Sequence, residues 1–301
     1  MSPECTVVIA TYNNPEGAKD LVSDFYRLHD IDKFRLISID QTRDGIKFDS
    51  DKPVHLHIKA YRNLGFAKAM NTGWKLSTTA FTLLANDDVR LLHPSWYESA
   101  KTHLTEDVLA VNPFPALRTW NAGGEPKWYW ELEGNEEKFG WTKDKTIESY
   151  TEEDYKRLQS LLFGGDPPGT AMYFTLFKTE ARDIVGLLDE GYVNNGEDYD
   201  WNRRCFLTCS ICKRKKHEHG AGCQFSPYKI LTCTHSLIHH HCGVTKQKAA
   251  ANKELEGFDL VANAKNIFNK KWGTEEEPNP DIYGKTGTSE PNTPWCTEID
   301  L

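Results

Sequence analysis

Hydrophobic and polar positions in the first hundred residues follow two alternating periods. Short apolar runs rich in β-branched residues are typical of buried strands, while apolar side chains spaced three and four apart indicate helices. The predicted strands cover 5–11, 34–40, 54–60 and 80–86, and the predicted helices cover 15–28, 65–76 and a segment that opens near Pro94. Because alternating strands and helices form parallel sheets with right-handed crossovers, we expect an α/β fold: a Rossmann-like, mostly parallel central sheet with helices on both faces.

After residue 110 the pattern is less regular. Residues 118–150 are rich in tryptophan and show no clean period, which is typical of an insertion or lid. Trp128, Trp130 and Trp141 either offer flat aromatic faces to a bound ligand or pack the lid onto the sheet. The remaining predicted elements are strands over 170–177 and 228–233 and helices over 180–187 and 252–272, with an acidic segment over 196–205 between the two strands.

Composition narrows the class of protein. The 301 residues are 39% hydrophobic and 27% charged, with a net charge of -8, which fits a folded globular chain and gives no overall attraction to nucleic acid. No apolar run approaches the ~20 residues that span a bilayer, and no secretion signal is visible, so we expect a cytoplasmic protein. Peripheral membrane association and the oligomeric state stay open.

Two clusters of carboxylates follow apolar segments. Asp87 and Asp88 end the strand over 80–86, where paired acids typically hold Mg²⁺ or Mn²⁺; the alternative is a solvated turn that caps the next helix. Glu197, Asp198 and Asp200 form the second cluster, in which mutual repulsion raises a pKa and suits a general base. The alternative there is an acidic helix start that pairs with the following arginines.

Five segments in order resemble the family 2 glycosyltransferases of the GT-A fold, over most of residues 5–245. They are VVIATYNN (7–14), Asp40 at the end of the second strand, RNLGFAKAMNTGW (62–74), LLANDDV (83–89) and LDEGYVNNGEDYDWNRRC (188–205). The sequence departs from the family pattern at Asn86, where many members carry a third acid.

The resemblance implies a site for a nucleotide-diphosphate sugar. Its donor contacts would come from Thr11, Tyr12, Asn13, Asp40, Arg62, Asn63, Asp87 and Asp166. A divalent cation, Mn²⁺ or Mg²⁺, would be held by Asp88 and Asp87, with His240 completing the site and His239 and His241 as alternatives. Asp198 would be the catalytic base, flanked by Glu197 and Asp200.

The implied reaction is transfer of a sugar from a UDP-, dTDP- or GDP-sugar to a hydroxyl of a glycan or glycoconjugate, with inversion at the anomeric carbon. We expect a single domain with a donor half over 1–110 and an acceptor half over 111–245, then a C-terminal helix over 246–273 and an extended tail over 274–301. The rival interpretations are an inactive relative that binds sugar nucleotides or glycans, and a zinc-stabilised interaction module.

Cysteines concentrate late in the chain. Six of the eight fall within residues 205–242. Cys209, Cys212, Cys223 and the two histidines His217 and His219 supply the ligand types of a structural Zn²⁺ site, although the spacing is not that of a standard zinc finger. The expected set of four is Cys209, Cys212, His217 and Cys223. A loop of free thiols is the alternative.

Overall fold

The computed structural model describes residues 2–118, 127–128, 172–192, 196–220, 222–241 and 260–272. Asp166, Trp130, Trp141 and the predicted 274–301 tail lie outside the described residues. In the described part of the chain, no helix is long and apolar enough to cross a membrane.

Strands and helices alternate along the first hundred residues, as the pattern predicts. The strands are β1 (Cys5–Thr11), β2 (Phe34–Asp40), β3 (Leu56–Lys59), β4 (Phe81–Asn86), β5 (Val89–Leu91), β6 (Val108–Arg118), β7 (Lys127–Trp128), β8 (Phe174–Lys178) and β9 (Lys229–His240). The helices are α1 (Pro15–Leu28), α2 (Phe66–Lys75), α3 (Trp96–Thr102), α4 (Ala181–Ile184), α5 (Glu197–Phe206) and α6 (Leu260–Trp272).

All the strands join one sheet in the order β3-β2-β1-β4-β8-β6-β9-β5, with β7 paired to β6. β1 pairs in parallel with both β2 and β4, and β6 pairs in parallel with β9. β8 runs antiparallel between β4 and β6, and β5 runs antiparallel to β9. The mostly parallel α/β architecture is therefore confirmed.

The two faces of the sheet carry separate cores. Val7 and Ile9 of β1 belong to the cluster that also contains the buried residues of α1 and α3, whereas Val8 belongs to the cluster with α2 and α5. Successive strand residues point to opposite faces, so an apolar run without polar interruptions requires helices on both sides.

Three elements differ from the sequence prediction. β6 runs through Pro113 and Pro115, which argue against a strand in a sequence pattern; the structure accommodates them with bulges in the β6–β9 ladder. α4 is one turn rather than a helix to 187, because Gly186 adopts a left-handed backbone (φ +98°) that ends it. β9 extends beyond the predicted 228–233 and includes His239 and His240.

Candidate active site

Asp87 is fixed in place by the loop that follows β1. The Asp87 carboxylate accepts a hydrogen bond from the Tyr12 backbone N–H (3.3 Å), and its carbonyl accepts one from the Asn14 side chain (3.0 Å). Gly17, in the first turn of α1, comes so close that a Cβ there would lie 2.1 Å from the Asp87 carbonyl oxygen. Since β1 and β4 are adjacent and parallel, Tyr12 and Asp87 lie at the same edge of the sheet.

Asp88 and His240 meet across a strand pair. β5 pairs with β9 so that Val89 lies opposite His240, and the His241 N–H donates to the Asp88 carbonyl (2.8 Å). This register brings His240 Nε2 to 3.3 Å from Asp88 Oδ1. The imidazole ring of His240 stacks on Tyr173, with ring centroids 4.3 Å apart.

The alternation of side chains along β9 separates the three histidines. The rings of His239 and His241 contact each other, with centroids 3.8 Å apart, while His240 stacks on Tyr173. Burial lowers the pKa of His239 to about 2, with help from the neighbouring positive charges, and also lowers the pKa of His241. His240 is the histidine whose ring nitrogen approaches Asp88.

The pair fits a divalent cation. Asp88 Oδ1 is buried and accepts no hydrogen bond within the described part of the chain, although His240 Nε2 is 3.3 Å away. Two ligand atoms that each lie about 2.1 Å from one ion, with an angle of about 90° between the two metal–ligand bonds, are about 3 Å apart. The distance between Asp88 and His240 is therefore close to that of neighbouring ligands of one ion. Carboxylate oxygen and imidazole nitrogen are both accepted by Mn²⁺. A direct ion pair with protonated His240 is the metal-free alternative.

Asp40 holds the loop after β2. Its carboxylate is fully buried and accepts hydrogen bonds from the Thr42 N–H (2.8 Å), the Thr42 hydroxyl (2.6 Å) and the Ile46 N–H (2.8 Å). Burial raises the pKa of Asp40, but these hydrogen bonds, together with the Lys59 charge, outweigh it and lower the pKa overall. The described contacts of Asp40 are therefore structural, and any contact with a nucleotide would come in addition to them.

Arg62 and Asn63 are exposed on the loop that leads into α2. Asn63 accepts a hydrogen bond from the Gly65 N–H (2.9 Å), and the Gln41 side chain accepts one from the Leu64 N–H (2.7 Å). Gln41 thus positions this loop at the carboxyl end of β2, a role that sequence reasoning missed. Its only sequence signal was a polar residue directly after a strand.

The β1 end supplies the other predicted donor contacts. Thr11 is buried and pairs with Asp40 in the β1–β2 ladder, and its hydroxyl has no hydrogen-bond partner within the described ranges. Asn13, half-buried, has a left-handed backbone with φ +59°. The structure therefore places Thr11, Tyr12 and Asn13 at the sheet edge that also carries Asp87.

The three acids of α5 have different environments. Asp200 is fully buried and contacts Arg204 Nε (2.9 Å), Lys271 Nζ (2.8 Å) and the Trp272 indole N–H (3.0 Å). Glu197 is also buried, whereas Asp198 is half-buried and accepts a hydrogen bond from the Tyr199 N–H (2.8 Å). These contacts favour a structural role for Asp200 and leave Asp198 as the more accessible acid.

The described segment that follows β8 packs against α2 and α5. β8 ends beside the start of β4, where Phe81 pairs with Lys178, and from there the chain runs along α2: Asn71 donates to the Leu188 carbonyl (2.8 Å). The Trp201 indole of α5 donates to the Gly186 carbonyl (2.8 Å), so α5 packs on the same segment.

A separate cluster lies between α5 and β9. The ligand atoms of Cys209, Cys212, His219 and Cys223 all lie within 4.8 Å of one another. The structure groups His219 with the three cysteines rather than the expected His217, whose side chain is exposed and lies 3.5 Å from Glu218. His219 was available at a neighbouring position, but local spacing alone did not distinguish the two.

Comparisons with known proteins agree on the fold. No protein-family model matches the sequence, and no curated protein is significantly similar to it. The structure is similar to a mannosyltransferase from Pyrobaculum calidifontis in complex with GDP-Man and Mn²⁺, with a TM-score of 0.51 and 15% identity over 94% of this chain and 69% of that one. It is also similar to GalNAc-T7 with UDP, GalNAc and Mn²⁺, with a TM-score of 0.53 and 14% identity over 90% of this chain and 48% of that one. The chain therefore has the GT-A glycosyltransferase fold.

Proposed function

We propose that this protein is a metal-dependent glycosyltransferase of the family 2 type, which transfers a sugar from a nucleoside-diphosphate donor to a hydroxyl of a glycan or glycoconjugate. The observation that carries the proposal is the Asp88–His240 pair, 3.3 Å apart, at the edge of a GT-A sheet. In open α/β sheets ligands bind outside the carboxyl ends of the strands, which is where this pair and Asp87 lie.

Asp88 and His240 are the residues that would hold Mn²⁺ or Mg²⁺, with Asp87 beside them. When bound, the cation offsets negative charge on the diphosphate leaving group. Asp87 is held by Tyr12 and Asn14, so the acid loop needs little rearrangement to receive the donor. Preorganised ligands of this kind reduce the cost of binding.

The donor would lie across the ends of β1, β2 and β4. In this proposal Thr11, Tyr12 and Asn13 line one side, while the exposed Arg62 reaches the diphosphate and Asn63 the nucleotide. Asp40 shapes the base pocket through the loop it holds. The mannosyltransferase neighbour was solved with GDP-Man and GalNAc-T7 with UDP, so the panel of donors to test begins with GDP- and UDP-sugars and extends to dTDP-sugars.

Asp198 is the proposed base. A carboxylate within hydrogen-bond reach of the acceptor hydroxyl removes its proton as the sugar is attacked. One base opposite one leaving group implies a single displacement, and hence inversion. Glu197 and Asp200 flank Asp198 in the same helical turn. Asp200 would help to position this turn through its ion pairs with Arg204 and Lys271.

A thermal-shift screen of GDP-, UDP- and dTDP-sugars, with and without Mn²⁺, tests donor binding, because a ligand present at 100 times its Kd stabilises the fold by about 2.7 kcal/mol. We expect one nucleotide class to raise the melting temperature only with Mn²⁺. Asp88→Asn should lose that shift, while Glu98→Gln, an exposed acid on α3, should retain it.

Release of nucleoside diphosphate with an acceptor panel then separates the enzyme from an inactive relative. A metal-dependent shift without turnover would favour the sugar-nucleotide-binding alternative. If no sugar nucleotide binds under any metal condition, the proposal is wrong. For an active enzyme, NMR of the anomeric configuration of the product decides between inversion and retention.

A further inference from the structure

We propose that Cys209, Cys212, His219 and Cys223 form a closed, four-ligand zinc site that fixes the segment between α5 and β9. This site is distinct from the Asp88–His240 pair and does not depend on the proposed function. It differs from the sequence expectation in its fourth ligand, since His219 replaces His217.

The geometry of the four ligand atoms supports zinc. They lie within 4.8 Å of one another, and the sulfur atoms of Cys209 and Cys223 are 3.9 Å apart. Thiolates bound to one tetrahedral zinc at about 2.3 Å are separated by about 3.8 Å. A disulfide would need the two sulfurs at about 2.05 Å, so Cys209 and Cys223 are placed as co-ligands rather than as a bonded pair.

His219 contributes the second observation. Its Nε2 atom is buried and has no hydrogen-bond partner in the described part of the chain. The ring is oriented by an edge contact with Phe225, with centroids 5.4 Å apart. A buried ring nitrogen without a hydrogen-bond partner destabilises the fold unless it binds a metal or another group. Zinc is the metal that imidazole and thiolate ligands commonly bind together.

The backbone around Cys209 forms the turn that such a site needs. The Lys213 N–H donates to the Cys209 carbonyl (2.9 Å). Lys213 has a left-handed backbone, φ +57°, which reverses the chain after the first ligand pair. The intervals between Cys209 and Cys212 and between His219 and Cys223 fall within those of known structural zinc sites.

Four protein ligands leave no open position for a substrate, so the role is structural. The site begins three residues after α5 ends at Phe206 and precedes the start of β9 at Lys229. α5 carries Asp198, and β9 carries His240. Zinc binding would therefore hold together the two elements that carry the proposed base and the histidine of the candidate cation site.

Metal analysis of the full chain, purified with a reductant and without added metal, is the direct test. We expect about one zinc per chain, and in protein produced with cobalt the thiolate charge-transfer and tetrahedral d–d bands. Zinc-free protein that is folded would overturn the proposal, as would an intact mass under denaturing conditions that is lower by two hydrogen atoms, the signature of a disulfide between two of the cysteines.

Matched histidine variants identify the ligand. His219→Ala should lose most of the zinc, His217→Ala should retain it, and His219→Cys should recover it as a four-thiolate site. Asp88→Ala should leave the zinc content unchanged, which separates this site from the candidate cation site. Retention of full zinc by His219→Ala, or equal loss from His217→Ala, would refute the assignment. The histidine variants keep the test decisive even if a cysteine variant such as Cys212→Ser fails to fold.

Discussion

Lys271 joins the C-terminal helix α6 to the helix that carries the proposed base. Its ammonium group lies 2.6 Å from Asp189 Oδ2 and 2.8 Å from Asp200 Oδ1, and its side chain is only 3% exposed. Next to it, the Trp272 indole donates to Asp200 (3.0 Å). We predict that Lys271→Met, which keeps most of the length of the side chain and removes its charge, destabilises the fold strongly.

The magnitude follows from the charges left behind. Removing one partner of a buried ion pair typically costs about 3–5 kcal/mol. Asp200 keeps Arg204, and Asp189 keeps the Gly191 N–H, so we expect the lower end, about 3 kcal/mol. With an unfolding entropy of about 2.1 cal/mol/K per residue, this corresponds to a decrease in Tm of about 5 °C.

Urea denaturation followed by tryptophan fluorescence measures the effect. Lys270→Met is the matched control, because the neighbouring Lys270 is exposed; it should change the free energy of unfolding by less than about 0.5 kcal/mol. Adding Asp189→Asn to Lys271→Met should restore part of the loss by removing an unpaired buried charge. If both lysine variants are equally stable, the ion pairs do not hold α6 to α5.

Three further variants test other parts of the molecule. Asp198→Asn should retain Mn²⁺-dependent donor binding and reduce turnover by about 10²–10⁴-fold, the usual contribution of a general base, and normal turnover would eliminate Asp198 as the base. His240→Ala should weaken the metal-dependent thermal shift while leaving any metal-independent shift unchanged; an unaltered Mn²⁺ titration would exclude His240 as a ligand. His29 accepts a hydrogen bond from the Trp96 indole, and burial, together with the Lys33 charge, lowers its pKa from 6.5 to about 4. Its contribution to stability is therefore present above pH 6.5 and lost as the pH falls toward 4, by up to about 3 kcal/mol, and His29→Gln should flatten that part of a pH series of urea denaturations.

Elements with a strong local pattern could be predicted to within a few residues. β1, α1, β2 and α2 follow the predicted 5–11, 15–28, 34–40 and 65–76, because each buries a continuous apolar face or stripe. β6 could not be predicted: Pro113 and Pro115 remove ladder donors, and only pairing with β8 and β9 makes the segment a strand. Propensity is a local property, whereas strand pairing depends on the rest of the sheet.

The candidate site likewise has one part that the sequence predicts and another that depends on strand pairing. The sequence placed Asp87 and Asp88 after a strand and proposed His240 as their partner on the basis of a family resemblance. The distance between Asp88 and His240 depends on the register of β5 against β9, which no local pattern specifies. The same holds for Asp200, whose partner Lys271 lies far along the chain.

The sequence by itself determined the α/β layering, the two-sided core and the carboxylates at the strand ends, because the length of an apolar run and the spacing of apolar residues are read directly from neighbouring positions. Only the tertiary structure decided that His219 and not His217 lies beside the cysteines, that His240 faces Asp88, and that Asp200 forms an ion pair with Lys271. The physical reason is that these contacts join segments brought together by the packing of the whole sheet. Their distances depend on register and docking, to which the local periodicity of a segment is insensitive.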